Sequence, residues 1–216
     1  MASQTHDVLV PKSGHGPGVL VIHSWWGRTP SFTTYAAALR NAGFVALAAD
    51  LFEGETADSE ADARALRAKR RRQPTYKTLL AAIAALTAHP ATVGSEIGVV
   101  GFSMGGHWAV WLSQQATTPI TATVLYYAVR AGDFSASHAA FLAHFAETDP
   151  WVAPAARRRL EKSLARAGRS YQAYDYPGTT HWFAEADHRE AYATDAASLA
   201  FRRTTGHLRA TLIAAD

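Results

Sequence analysis

The chain has 216 residues, of which 48% are hydrophobic and 18% charged, and its formal net charge at pH 7 is +3. This composition fits one globular domain with a sizeable core and excludes a disordered or fibrous chain. The chain contains no cysteine, which excludes disulfides, zinc–thiolate sites and a cysteine nucleophile.

Short apolar runs alternate with helical patterns along the chain. The apolar runs predict buried strands at residues 18–23, 44–50, 97–102, 123–128, 141–146 and 171–176. Helices are predicted at 32–41, at 59–89 with an interruption near Pro74, at 105–115, at 154–167 and from His188 to the C-terminus. Strands that are apolar throughout and alternate with helices predict a mainly parallel sheet with helices on both faces. We therefore predict a single α/β domain over residues 1–216.

The sequence Gly101-Phe-Ser-Met-Gly105 lies between the third strand and the helix that follows it. In this context a G-x-S-x-G sequence is typical of a nucleophile elbow, a tight strand-to-helix turn with a strained serine backbone. Such a turn lifts the Ser103 hydroxyl above the sheet, next to helix N–H groups that can stabilise an oxyanion. We predict Ser103 as a nucleophile. The alternative is a turn without a catalytic role.

A serine nucleophile requires a base to take its proton and a carboxylate to orient that base. In enzymes with this elbow, the three residues follow the chain order serine, acid, histidine. Asp149 follows the fifth strand, and Pro150 turns the chain directly after it, so we predict Asp149 as the acid, with Glu147 as its rival. His181 lies in the loop after the sixth strand, and we predict it as the general base.

Four segments together resemble the dienelactone hydrolase family: His23-Ser-Trp-Trp-Gly27, Gly101-Phe-Ser-Met-Gly-Gly106, Glu147-Thr-Asp149 and His181-Trp-Phe183. The resemblance covers about residues 8–200. It implies an α/β-hydrolase domain that acts on esters or lactones without a cofactor. It also implies an oxyanion hole built from the backbone N–H groups of Trp25 and Met104. The positions of these residues support the same pair, because one follows the nucleophile and the other follows an early strand.

Three positions depart from the pattern of the family members that hydrolyse dienelactone. Ser103 replaces a cysteine in the elbow, Ser24 replaces a glutamate that modulates that cysteine, and Glu185 replaces an arginine that binds the substrate carboxylate. An anion in place of a cation is expected to disfavour dienelactone and other anionic substrates. The resemblance is therefore to the serine-containing members, which look like general carboxylesterases.

Tryptophans are concentrated in the predicted catalytic loops, which hold Trp25, Trp26, Trp151 and Trp182. This concentration predicts an aromatic-lined pocket, with Trp26, Trp151, Trp182 and the adjacent Ser24 as candidate pocket residues. The alternative for each tryptophan is ordinary packing of a loop onto the sheet.

A dense basic run covers residues 64–72 and comprises Arg64, Arg67, Lys69, Arg70, Arg71 and Arg72. We interpret it as a solvated helix face that the acidic residues at positions 53–62 compensate. No aromatic residue interleaves with the arginines, so we expect no nucleic-acid partner.

The combined prediction is a serine hydrolase that cleaves a small carboxylic ester or lactone through an acyl-enzyme. We expect no cofactor, and no histidine–carboxylate set has the spacing of a metal site. A thioesterase or small-peptide hydrolase on the same triad is the alternative among enzymes. The alternative outside enzymes is a catalytically silent binding protein that uses the run at 64–72.

The segment from Met1 to Pro11 lacks the basic and long apolar regions of a signal peptide. No apolar stretch approaches the roughly 18 residues that span a bilayer. We therefore expect a cytoplasmic protein without a membrane partner. The sequence leaves the oligomeric state open, and a monomer is the simplest expectation.

Overall fold

The computed structural model describes residues 7–213. Its sheet contains the strands β1 (Gly16–Ile22), β2 (Val45–Ala49), β3 (Thr92–Phe102), β4 (Ile120–Tyr126), β5 (Ala140–Thr148) and β6 (Tyr171–Thr180). The strand order is β2-β1-β3-β4-β5-β6, and every neighbouring pair is parallel. The prediction of an α/β fold with a parallel sheet is therefore confirmed.

Helices cover both faces of this sheet, which explains why the central strands are apolar along most of their length. In the described residues they are α1 (Pro30–Asn41), α2 (Glu60–Lys69), α3 (Arg72–Thr87), α4 (Met104–Ser113), α5 (Pro154–Arg166) and α6 (Thr194–Leu212). On one face, α1 and α6 bury Phe32 and Leu208 against the sheet. On the other face, α3, α4 and α5 bury Leu79, Leu112 and Leu160.

The sheet contains a topological switch point at β1. The chain runs from β1 to β2 on one side, and β3 lies on the other side of β1. A switch of this kind opens a crevice beyond the carboxyl ends of the strands, where ligands bind in α/β proteins. The loops that follow β1 and β3 therefore meet at one site.

Some element bounds differ from the prediction. The predicted helical segment at 59–89 is interrupted at Arg70 and Arg71 rather than at Pro74. Pro74 lies in the first turn of α3, where backbone N–H groups have no partner within the helix, so a proline costs no hydrogen bond. The segment from His188 was predicted to be helical but forms turns, and α6 begins only at Thr194. The Ala193 N–H donates to the Phe183 carbonyl at 2.9 Å, and this long-range hydrogen bond holds the chain in a non-helical path just before α6. Residues 1–6 and 214–216, which belong to the predicted N-terminal segment and last helix, lie outside the described residues.

Candidate active site

The loop between β3 and α4 forms the predicted elbow. Ser103 has φ 48° and ψ −111°, a conformation that costs energy in a residue other than glycine. Both flanking glycines are required by close packing, because a Cβ at Gly101 would collide with the Gly105 carbonyl, and a Cβ at Gly105 would collide with the Ile22 carbonyl. The Ser103 N–H donates to the Tyr126 carbonyl at 3.0 Å, which ties the strained residue to β4.

The three residues predicted as a triad form a continuous hydrogen-bonded chain. Ser103 Oγ lies 2.9 Å from His181 Nε2, and His181 Nδ1 lies 2.8 Å from Asp149 Oδ2. The side chains of His181 and Asp149 are only 4% and 5% exposed, so water competes little for these contacts. The second carboxylate oxygen accepts the N–H groups of Trp151 and Val152 at 2.9 and 3.1 Å. Asp149 is therefore held in place by the turn that follows it.

Glu147, the rival acid, lies two residues earlier but does not take part in this chain. Its side chain is exposed, and one of its oxygens accepts the Gly178 N–H at 2.9 Å. Asp149 is the carboxylate that contacts the imidazole of His181. The geometry therefore favours Asp149 over Glu147.

The two predicted oxyanion donors lie on either side of the switch point. Trp25 follows β1, Met104 is the first residue of α4, and both line the same pocket as Ser103 and His181. Within residues 7–213, neither backbone N–H donates to a protein acceptor. Both groups therefore stay available to a ligand, and the N-terminus of α4 adds a partial positive charge at this point.

A pocket of about 160 Å³ surrounds Ser103. Trp25, Trp151 and Trp182 line it together, with the Trp25 ring centroid 5.2 Å from Trp151 and 6.2 Å from Trp182. Trp151 and Trp182, two of the candidate pocket residues, therefore lie beside Ser103. Trp26 packs 5.4 Å from Trp182 and lines an adjoining depression, which shares Trp151, His181 and Trp182 with this pocket.

Ser24, another candidate pocket residue, does not line the pocket around Ser103. It is completely buried, and its hydroxyl donates to Glu185 Oε2 at 2.8 Å, while the Tyr127 hydroxyl donates to Glu185 Oε1 at 2.7 Å. Burial raises the pKa of the Glu185 carboxyl to about 8, although these two hydrogen bonds partly oppose the shift. Glu185 therefore places no carboxylate in the pocket of Ser103. A carboxyl buried in this way does not face a substrate anion, so the expectation that anionic substrates are disfavoured rests on the missing arginine and stays a prediction.

Sequence reasoning missed six residues that line the pocket, namely the polar Arg67, His107 and Tyr127 and the apolar Ala128, Val129 and Val152. Tyr127 follows β4 directly, and its ring centroid lies 4.8 Å from that of His181. Helical spacing could have indicated Arg67, because residues four positions apart lie on the same face of a helix and Ala63 on α2 is buried. His107 follows Ser103 by the same interval, at the start of α4.

The interpretation of residues 64–72 as a compensated, solvated face is only partly right. Arg64, Lys69 and Arg70 form ion pairs with glutamates at positions 53–60. The Arg64 guanidinium also lies 5.3 Å from the ring centroids of Trp25 and Trp151. Arg67, by contrast, reaches the wall of the pocket around Ser103.

The described residues offer neither a metal site nor a membrane helix. No group of three histidine, aspartate or glutamate side chains within 7–213 is arranged to hold a metal ion. No helix in this part of the chain is both long enough and apolar enough to cross a bilayer.

Comparison with known proteins places this geometry in a family. The sequence matches the family model described as the dienelactone hydrolase family over residues 7–212. Protein usf of Aquifex pyrophilus is 29% identical over 194 residues, which cover 86% of this chain and 84% of the relative. A Bradyrhizobium sp protein named "Probable 2-oxo-3-(5-oxofuran-2-ylidene)propanoate lactonase" is 26% identical over 211 residues, which cover 91% of this chain and 85% of the relative.

A solved structure shares the fold. The dienelactone hydrolase-like promiscuous phosphotriesterase P91 from metagenomic libraries superimposes with a TM-score of 0.80 at 22% sequence identity. The match covers 90% of this chain and 86% of that protein. The fold is therefore that of the α/β-hydrolases.

Proposed function

Because the chain belongs to the dienelactone hydrolase family, we propose that it hydrolyses carboxylic esters or lactones through an acyl-enzyme on Ser103. The observation that carries the proposal is the hydrogen-bonded chain from Ser103 through His181 to Asp149. This chain opens into a pocket where two backbone N–H groups have no protein acceptor within residues 7–213. This arrangement supports the proposed roles of Ser103 as nucleophile, His181 as base and Asp149 as orienting carboxylate.

The first half of the reaction forms the acyl-enzyme. Asp149 accepts a hydrogen bond from the His181 Nδ1–H, which fixes the imidazole tautomer and leaves the Nε2 lone pair free to take the proton of the Ser103 hydroxyl. The serine oxygen attacks the carbonyl carbon, and the negative charge that develops on the carbonyl oxygen is stabilised by the N–H groups of Trp25 and Met104. The bond to the leaving oxygen then breaks, and His181 Nε2 returns the proton to the departing alcohol.

The second half of the reaction releases the acid. His181 takes a proton from a water molecule as that water attacks the acyl carbon, and the same two N–H groups stabilise the second oxyanion. The bond to Ser103 breaks, and the serine oxygen regains a proton from His181. An ester yields an alcohol and a carboxylic acid, whereas a lactone yields one hydroxy acid.

The decisive test is covalent labelling of the folded protein with a fluorophosphonate, followed by intact mass measurement and peptide mapping. We expect one adduct on Ser103, and we expect Ser103→Ala to abolish both labelling and ester hydrolysis. Ser135→Ala is the matched control, because Ser135 is exposed in a loop and does not line the pocket. Absence of an adduct on folded wild-type protein would contradict the proposal and favour a silent binding protein.

The substrate class requires a second measurement. Rates on matched esters, thioesters, lactones and small amides separate an esterase from a thioesterase or a small-peptide hydrolase. We expect esters and lactones to be the best substrates. Faster turnover of thioesters or amides would keep the role of Ser103 but replace the proposed substrate class.

A further inference from the structure

A second cavity, of about 330 Å³, adjoins the pocket around Ser103. The two cavities share Arg67, Met104 and His107 as wall residues. Among the described residues 7–213, five arginines and no acidic residue line the second cavity, which we call the arginine cavity. The five are Arg67, Arg70, Arg71, Arg72 and Arg130.

Most of the positive charge in the arginine cavity has no ionic partner. Arg70 pairs with Glu53 at 3.2 Å and with Glu55 at 2.7 Å, so its charge is balanced. The other four arginines form no ion pair with any residue in the range 7–213. Like charges gathered around one cavity repel each other, and this repulsion falls when an anion lies between them.

Two of these cations reach the boundary with the Ser103 pocket. The Arg130 Nη1 atom donates to the His107 carbonyl at 3.3 Å, and Arg67 lines both cavities. Desolvation of the ring in the cavity wall, together with the positive charges of Arg130 and Arg67, lowers the pKa of the His107 imidazole, although the residue keeps an exposed surface. The positive potential therefore extends to α4, one turn beyond the nucleophile.

Arginine suits phosphate because its planar guanidinium donates two parallel hydrogen bonds to phosphate oxygens. A single carboxylate carries one negative charge and would balance only one of the four unpaired arginines. Arg67 alone could bind such a carboxylate. Arg71, Arg72 and Arg130 do not line the pocket of Ser103, so an anion beside them lies away from the reacting carbonyl. Contacts to such a remote group can position the ester for attack.

We propose that the arginine cavity binds a phosphate group of the substrate and that the preferred substrate is a phosphorylated carboxylic ester. This inference rests on the proposed hydrolysis at Ser103 and specifies its substrate class. It also assigns a role to Arg67, Arg71, Arg72 and Arg130, whose charges have no ionic partner within residues 7–213.

The test uses three phenyl butyrates that carry a phosphate, a carboxylate or a hydroxyl group on the same flexible ethyl arm of the phenol. Each kcat/KM value is divided by the alkaline hydrolysis rate of the same ester, which removes differences in intrinsic reactivity. We expect the phosphate ester to exceed the neutral ester by at least about tenfold at low salt, and to lose that advantage as ionic strength rises. Arg71→Gln/Arg72→Gln should bring the ratio close to one.

The matched control is Arg158→Gln/Arg159→Gln, which removes two exposed cations from α5 and should leave the phosphate-to-neutral ratio of the wild type. Pyrophosphate binding by calorimetry gives a readout independent of turnover, and it should weaken in Arg71→Gln/Arg72→Gln only. A phosphate-to-neutral ratio near one in the wild type, or an equal preference for the carboxylate ester, would overturn the inference. Pyrophosphate binding without hydrolysis of any ester would support the anion site and refute the proposed reaction.

Discussion

The buried carboxyl of Glu185 makes the stability of this protein depend on pH in a way that one substitution can isolate. Glu185 is 1% exposed, and desolvation raises the pKa of its carboxyl from 4.5 to about 8 in the folded state. The hydroxyls of Tyr127 and Ser24, which donate to its two oxygens, oppose this shift without cancelling it. Between these two pKa values the folded protein keeps a proton that the unfolded chain releases.

The sign and size of the effect follow from proton linkage. Below pH 4.5 both states hold the proton, so Glu185 adds no pH dependence there. As the pH rises from 4.5 to about 8, the free energy of unfolding falls by about 1.4 kcal/mol per pH unit, because only the unfolded state ionises. The full span of 4.5 to about 8 therefore costs about 5 kcal/mol. Above the folded pKa both states are ionised, and the curve becomes flat again.

Glu185→Gln keeps the shape of the side chain and removes the ionisation. We expect the free energy of unfolding of the variant, minus that of the wild type, to rise by about 1.4 kcal/mol for each pH unit between about pH 5 and pH 8. Urea unfolding curves at constant ionic strength measure this difference. Glu190→Gln is the control, because Glu190 is exposed five positions later and should give no such slope. Parallel curves for Glu185→Gln and the wild type would refute the reasoning.

Three other substitutions probe the site and its support. Asp149→Asn should lower kcat for ester hydrolysis by about 10⁴-fold, because it favours the wrong tautomer of the His181 imidazole. The kcat of Glu147→Gln should stay near that of the wild type in the same assay. Gly105→Ala should lose about 3 kcal/mol or more in thermal unfolding, because its Cβ would collide with the carbonyls of Ile22, at the end of β1, and His23. Gly206→Ala is the control, because its Cβ meets no atom within 4 Å and should not destabilise the protein. Thr204→Val should lower the free energy of unfolding in urea by about 1–3 kcal/mol, because the buried side chains of Tyr126 and His144 both hydrogen-bond to the Thr204 hydroxyl. An unchanged midpoint of unfolding would contradict this expectation.

Sequence pattern predicted those features that depend on chain order and local geometry. The alternation of apolar runs with helices was sufficient for the parallel sheet, and the glycines around Ser103 identified a turn that tolerates no Cβ at Gly101 or Gly105. Asp149 and His181 could be predicted to lie close together because each follows a strand whose carboxyl end points to the same edge of the sheet.

Features that depend on side-chain direction could not be predicted in the same way. Trp25 and Trp26 are adjacent in the chain, yet only Trp25 lines the pocket of Ser103. Glu185 stands near the predicted base but turns inward to bond Ser24. Arg67 and Arg130 meet at one cavity although they belong to distant segments, and only the fold shows that contact.

The position of β6 at the edge of the sheet makes His181 easier to displace than Ser103. Within the part of the chain that the structure describes, β6 pairs only with β5 and has many exposed residues, whereas β3, which precedes Ser103, is paired on both sides. Fraying of an edge strand requires less free energy than global unfolding. On warming, we therefore expect His181 to lose its hydrogen bond to Ser103 while the elbow is still folded. Activity should then decline at temperatures below the melting temperature. Cooling should restore that activity, because the strands that build the elbow never separate.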